Sequence, residues 1–289
     1  MKQRVITGLV FGIVFIGAVL LINTVAFAFF CAAISVIAVW EIEKAVGLKN
    51  KLIIAASLVL SAAIPFITHF AVDFPAAPFG CIYVVLVFIF MLIKFEATKF
   101  EQAVTAIFAS VCVPYSFSLM IMFRDVDRYI EGFNKTEGIY LLIFCVCAAW
   151  MTDIFAYFVG SKLGKHKLCP KISPKKSVEG AIGGIIISEI VTVVTVIVCE
   201  LLLLVFNKYV FAEPAKLSYI AVLFVSIILS IAGMFGDLAA STIKRNFGIK
   251  DFGNLLPGHG GIMDRFDSLL FIMPVLYGTI YLMNSVGAI

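Results

Sequence analysis

Charge is scarce in this chain of 289 residues, because Asp, Glu, Lys and Arg together make up only 14% of it. A soluble domain usually carries about 25% charged residues. Hydrophobic residues reach 62%, and the mean hydropathy is +1.10. This composition excludes an ordinary soluble globular domain and indicates an integral membrane protein. The net charge of +4 is modest, and we expect no nucleic-acid partner.

Paired cysteines and redox motifs are also lacking. The chain has seven cysteines, an odd number, and nearly all of them lie in apolar runs, which is typical of buried thiols that act as small hydrophobic residues. Cys145 and Cys147 do not have the C-x-x-C spacing of redox and zinc motifs. The cysteines therefore predict neither a disulfide framework nor a metal site.

Long apolar runs, by contrast, are frequent. A hydrocarbon core of about 30 Å requires about 20 apolar residues per helix. On that measure the sequence predicts an all-α, polytopic membrane helix bundle with about nine transmembrane helices. Their predicted limits are 5–22, 24–40, 52–71, 79–94, 103–123, 138–159, 180–206, 218–240 and 266–286.

The distribution of cations predicts the orientation of the bundle. Most of the 22 Lys and Arg residues fall in loops that are cytoplasmic if the N-terminus is cytoplasmic, and such an excess marks the cytoplasmic side. We therefore expect a cytoplasmic N-terminus, with two long basic loops, 160–179 and 241–265, on the same side. Residues 1–137 are expected to hold about five spans, and residues 138–289 the catalytic region.

The longest polar passage is KRNFGIKDFGNLLPGHGGIMDRFD, residues 244–267. Just before and at its start, Asp237, Ser241 and Lys244 lie at i, i+4 and i+7 and so share one helical face. The glycines around His259 permit backbone amides to converge on an anion. This passage is therefore chemically richer than a simple connection between two helices.

Asp264 and Asp267 follow at i and i+3, where the last span begins. Helix capping alone would explain both aspartates. Alternatively, Asp237 and Asp264, from the helices on either side of one loop, pinch a hard cation such as Mg²⁺, which binds few carboxylates together with water and phosphate oxygens.

The second basic loop contains SPKKSVEG, in which Ser173, Lys175, Lys176 and Ser177 supply hydroxyls and cations suited to phosphates. A polybasic strip that attracts anionic lipid is the alternative. Two G-x-x-x-G pairs, Gly160/Gly164 and Gly180/Gly184, flank this loop and predict close helix packing.

Carboxylates for a divalent cation and two cationic loops suggest phosphoryl or nucleotidyl transfer, since polyphosphate charge must be neutralised before an anionic nucleophile approaches. The C-terminal half also resembles the phosphatidate cytidylyltransferase family, the CDP-diacylglycerol synthases. That family's pattern S-x-hydrophobic-K-R-x4-K-D-x-G-x2-L-P-x-H-G-G-hydrophobic-x-D-R-hydrophobic-D is met from Ser241 to Asp267. Its D-x-x-A-Y, S-P-K-K-S and E-G-x-x-G-G elements begin at Asp153, Ser173 and Glu179.

The resemblance implies Mg²⁺-dependent transfer of the cytidylyl group of CTP to phosphatidate, which yields CDP-diacylglycerol and pyrophosphate. It implies a bacterial cytoplasmic membrane protein with its site on the cytoplasmic side, surrounded by membrane lipids, with a homodimer as a possibility. The metal ligands would be Asp237 and Asp264, with Asp251 and Asp267 in support. The residues expected to act in catalysis or substrate binding are Asp237, Asp264, Lys244, Arg245, Arg265, His259, Ser173, Lys175, Lys176, Ser177, Ser241, Lys250, Gly260 and Gly261.

Two rivals stay open at this point. A lipid kinase that moves phosphate from CTP to a polyprenol or phytol would use similar residues. A transporter would use intramembrane acids as a cation or proton path, but that reading leaves the cationic PGHGG turn unexplained.

Overall fold

A computed structural model describes residues 2–206 and 219–285 of the chain. These residues form nine α-helices and one two-stranded sheet. Within the described part, eight of the helices are long and apolar enough to cross a membrane, and the first helix adds a shorter apolar stretch, Thr7–Leu20. The predicted polytopic helical bundle is thus confirmed. The predicted limits 218 and 286 lie just outside the described residues.

The chain divides into two compact units, Met1–Ile121 with Lys244–Phe266, and Met122–Ile243 with Asp267–Ile289. The predicted boundary between residues 137 and 138 concerns where the catalytic region begins, and this division stays a prediction. The orientation of the N-terminus likewise stays a prediction.

The first unit is built mainly from five helices. They are α1 (Lys2–Leu20), α2 (Val25–Ala45), α3 (Lys51–Phe70), α4 (Ala76–Ile93) and α5 (Phe100–Arg124), the last residues of which belong to the second unit. Asn50 precedes α3 as its N-cap, and its side chain accepts from the Leu52 amide at 3.1 Å and donates to the Phe90 carbonyl at 2.9 Å. One buried amide thereby caps α3 and joins it to α4.

The second unit contains the remaining helices and the sheet. Its elements are α6 (Lys135–Leu163), β1 (Lys167–Cys169), β2 (Ser173–Ser177), α7 (Val178–Phe206), α8 (Tyr219–Asn246) and α9 (Met263–Ser285). The last residues of α8 and the first of α9 belong to the first unit. The strands pair antiparallel, Lys167 with Ser177 and Cys169 with Ser173.

Helix ends differ from the predicted span limits. α8 runs to Asn246 and α9 begins at Met263, so the loop between them is 247–262 and not 241–265. The loop 160–179 shortens in the same way, because α6 ends at Leu163 and α7 begins at Val178. Hydropathy marks the apolar core of a span, whereas the helical backbone continues through polar residues beyond it.

Close packing of α6 on α7 depends on glycine, as the G-x-x-x-G spacing predicts. A Cβ at Gly180 would lie 2.7 Å from the Ala156 carbonyl oxygen and 2.9 Å from the Gly160 Cα. A Cβ at Gly184 would lie 2.8 Å from both the Ala156 Cβ and the Thr152 carbonyl oxygen. The two helices therefore approach at distances that no larger residue permits.

Gly184→Ala is expected to lower the thermal unfolding temperature in detergent, because overpacking costs about 1–3 kcal/mol. Gly278→Ala in α9 is the control, since its added Cβ would meet no atom within 4 Å among the described residues beyond the local backbone of its own helix. That control is expected to unfold at the parent temperature or above, because Ala favours a helix over Gly. Equal unfolding temperatures for the two variants would contradict the packing account.

Candidate active site

A tight turn forms the tip of the polar loop between α8 and α9. The Leu256 amide donates to the Gly260 carbonyl at 2.9 Å, and the His259 amide donates to the Leu256 carbonyl at 2.8 Å. Gly258 and Gly260 have φ values of 79° and 87°, a region that favours glycine. Pro257, Gly258 and His259 therefore form a tight turn that backbone hydrogen bonds hold in place.

Asp264 organises this loop from the first turn of α9. Its Oδ2 accepts from the Phe252 and Gly261 amides at 2.9 and 3.0 Å, and its Oδ1 accepts from the Lys244 Nζ at 2.9 Å. The Asp264 side chain is only 3% exposed. The Lys244 ammonium also lies 5.5 Å from the Phe252 ring centre. One buried carboxylate thus joins the end of α8, the middle of the loop and the start of α9.

Glu41 of α2 is a second buried carboxylate against the same loop. Its oxygens accept from the Ile262 amide at 3.1 Å and the Met263 amide at 2.9 Å. Converging amides in this loop were predicted to bind a phosphate. Within the predicted PGHGG turn, the Gly261 amide donates to Asp264 and the His259 amide to the Leu256 carbonyl, and the neighbouring amides of residues 252, 262 and 263 also bind the chain's own carboxylates. Binding of a phosphate by this turn stays a prediction.

The His259 imidazole lies beside α1. A Cβ added to Gly8 would lie 3.8 Å from both Cε1 and Nε2 of this ring. Its Nδ1 is buried and has no hydrogen-bond partner among the described residues. A buried polar atom without a partner is costly, so this nitrogen is a candidate contact for a ligand.

The second unit holds its own charged cluster, formed by Asp153, Lys176 and Asp237. The Lys176 ammonium pairs with Asp237 Oδ2 and lies 3.9 Å from Asp153 Oδ1. The Ser268 hydroxyl donates to Asp153 Oδ2 at 3.2 Å. Two carboxylates, from α6 and α8, therefore face one cation of β2.

The β1–β2 hairpin explains why Lys176 and not Lys175 reaches this cluster. Neighbouring residues of a strand point to opposite faces, and Lys175 is exposed whereas Lys176 is half-buried. Ser177 is buried, and its hydroxyl accepts from the Gly180 amide at 3.2 Å, which caps α7. The structure thus gives Ser177 a structural contact, and its role in substrate binding stays a prediction.

The other predicted site residues are distributed along both units. Asp267 is buried, and its Oδ1 accepts from the Ser268 amide at 2.8 Å. Ser173 and Ser241 are half-buried. The remaining charged side chains, all of them exposed, are Arg245, Lys250, Asp251 and Arg265.

Within the described residues, no group of three or more His, Cys, Asp or Glu side chains is placed so that it could hold a metal ion. Mg²⁺ requires only one or two carboxylates when substrate phosphates and water complete its shell. Asp153 and Asp237, which already face a common cation, fit that donor set. Asp237 and Asp264 belong to different units, and their sharing of an ion stays a prediction, as do the supporting roles of Asp251 and Asp267.

Sequence reasoning missed Glu41 of the first unit and gave Asp153 of the second unit no individual role. Glu41 lies at the end of an apolar run whose predicted limit is residue 40, so it was not counted among the intramembrane acids, although α2 continues to Ala45. Asp153 stands in the family pattern and was a candidate among the acids inside or at the edge of predicted spans, but it was given no role of its own. The available signal in both cases was a carboxylate inside an apolar helix, which requires a partner.

Comparison with known proteins identifies the family of this chain. The model of the cytidylyltransferase family matches residues 2–283. A phosphatidate cytidylyltransferase of Bacillus subtilis (strain 168) is 33% identical over 282 residues, which is 96% of each chain. Those of Staphylococcus saprophyticus and Staphylococcus aureus (strain COL) are 45% and 43% identical over 143 residues, or 50% of each chain. The chain, with its two carboxylate-anchored basic segments, belongs to the cytidylyltransferase family.

Proposed function

We propose that this membrane protein transfers the cytidylyl group of CTP to phosphatidate, which gives CDP-diacylglycerol and pyrophosphate. The observation that carries the proposal is the basic segment of residues 244–266, the loop together with the adjoining ends of α8 and α9, which buried carboxylates hold in one conformation. The chain's family and the names of its relatives support the same reaction.

The reaction joins a phosphatidate oxygen to the α-phosphorus of CTP and breaks the bond to the β-phosphate, so that pyrophosphate leaves. The phosphatidate oxygen is already ionised near neutral pH, and no general base is required. Positioning and charge neutralisation should therefore supply most of the rate enhancement.

Lys244 and Lys176 are suited to that task because carboxylates orient them in advance. Each ammonium has three N–H donors, and Lys244 uses one of them for Asp264. An ammonium that a carboxylate already orients can bind phosphate oxygens without a search through side-chain rotamers. His259 adds the unpartnered Nδ1, and the exposed Arg245, Lys250 and Arg265 supply further positive charge.

Mg²⁺ completes the proposal, with Asp153 and Asp237 as the ligands that the described geometry fits and Asp264 as the ligand that the family pattern adds. When bound, the ion would neutralise charge on the CTP phosphates. CTP is soluble and phosphatidate stays in the bilayer, so the site belongs at a membrane surface. We place it on the cytoplasmic side of a bacterial inner membrane, and a homodimer remains an expectation.

Purified protein in phosphatidate-containing vesicles is expected to move ³²P from α-labelled CTP into lipid and to release pyrophosphate. Label from γ-labelled CTP should appear only in pyrophosphate, and a chelator should stop both reactions. Transfer of the γ-label to lipid with release of CDP would instead identify a lipid kinase. Ion flux in sealed vesicles without CTP would favour a transporter.

Asp264→Asn is expected to lower turnover at least about a hundredfold, the usual cost of losing a key electrostatic group. If Asp264 binds the metal, the Mg²⁺ concentration for half-maximal activity should rise in any residual activity. Asp127→Asn, at an exposed aspartate between α5 and α6, is the control. An unchanged Mg²⁺ requirement in Asp264→Asn would show that Asp264 does not bind the metal and has only a structural role in the loop.

Lys176→Ala is expected to raise the KM for CTP about tenfold, because a hydrogen bond from a charged group contributes about 1.5–3 kcal/mol. Lys171→Ala changes an exposed lysine between the two strands and should leave the KM near its parent value. An equal KM for CTP in the two variants would show that Lys176 has no specific role in binding CTP.

A further inference from the structure

Glu41 is a carboxylate deep in the first unit whose contacts lie far away in the sequence. Its side chain is 1% exposed, and its two oxygens accept from the Ile262 and Met263 amides. These are amides at the start of α9, where the first turn of a helix leaves its N–H groups without intrahelical partners. The negative charge also complements the positive end of the helix dipole. Glu41 therefore caps α9 from another helix.

Two loop glycines pack directly on this carboxylate. A Cβ at Gly253 would lie 2.1 Å from Glu41 Oε1, and a Cβ at Gly261 would lie 2.3 Å from Oε2. Neither glycine has a positive φ, unlike Gly258 and Gly260. Backbone conformation therefore does not require glycine at 253 or 261. Glycine is required there because the Glu41 carboxylate occupies the space that a side chain would need.

The position of Glu41 links it to the groups assigned to chemistry. The Gly261 amide donates to Asp264, while the next two amides donate to Glu41. The two carboxylates thus hold the same short segment, with the His259 turn before it and Asp264 within it. Movement of this segment would displace both residues at once.

We infer that Glu41 is a positioning residue for the cytidylyl transfer, which fixes residues 252–264 against α2 so that His259, Lys244 and Asp264 keep their geometry. The inference rests on the proposed function for its catalytic part. Its structural part, that Glu41 orders this loop, is testable without substrate.

Glu43 provides a matched comparison. It lies on the same helix, is also 1% exposed, and its Oε1 accepts from the Ser57 hydroxyl of α3. Glu43→Gln therefore disturbs a buried carboxylate of α2 without touching the loop. Any effect that Glu41→Gln has beyond Glu43→Gln reports on the loop contact.

The first test is hydrogen exchange of the full-length protein in detergent without substrates. Glu41→Gln is expected to speed exchange in peptides that cover residues 252–263, since it replaces one of the two acceptor oxygens with an NH2 group, which cannot accept from a backbone amide. Glu43→Gln should leave those peptides as in the parent protein. Parent-like exchange in Glu41→Gln would overturn the inference, whether or not the protein transfers cytidylyl groups.

The second test asks whether Glu41 and Gly253, which pack against each other, act together. Gly253→Ala in the parent is expected to speed the same exchange and to lower kcat at least about tenfold, because small misplacements of a catalytic group are costly. In a Glu41→Ala background the clash is gone, so Gly253→Ala should add little. Additive effects of the two changes would show that they act independently and would overturn the inference.

Kinetics separate the positioning role from general stability. Glu41→Gln is expected to lower kcat at least about tenfold with a smaller change in the KM for CTP, the pattern of a lost transition-state interaction. Glu43→Gln should retain the parent kcat. An active parent with parent-like kcat in Glu41→Gln would refute the inference, whereas an inactive parent with the expected exchange would refute only the proposed function.

Discussion

A carboxylate inside an apolar helix bundle must find hydrogen-bond donors, because a buried charge without partners costs several kcal/mol. In the first unit, Glu41 and Asp264 satisfy this requirement with four backbone amides and one ammonium of the same loop. The requirement acts in both directions. The loop amides also need acceptors, and the glycines at 253 and 261 leave the space in which Glu41 meets them.

The second unit meets the same constraint by a different route. There, Asp153 and Asp237 face the Lys176 ammonium, which a short β-hairpin carries to them. In both units a lysine that is suited to phosphate is held by a carboxylate. Such preorganisation reduces the reorganisation required when charge develops during a reaction.

The sequence was sufficient for the spans and for the residues with unusual chemistry. Hydropathy located the helices, and the polar passage marked Lys244, His259 and Asp264. Glu41 was not found, because its partners lie more than 200 residues away and no local pattern reports such a contact. The roles of the loop glycines could not be separated from the sequence either, since glycine is required both for positive φ at 258 and 260 and for close approach at 253 and 261, and only coordinates distinguish the two. The sheet was missed because SPKKS has little β-propensity, and the adjoining helices and the hairpin register hold it in place.

The most direct measurement of the central claim, that the carboxylate-held basic loop binds the nucleotide's phosphates, is photolabelling with a CTP analogue that carries an azidoanilide on the γ-phosphate. Peptide mapping of the labelled full-length protein would locate the phosphate end of the nucleotide. The account predicts label within residues 244–266 that excess CTP removes. Label removable by CTP that falls only on helices α3 and α4, with none in that loop, would contradict it.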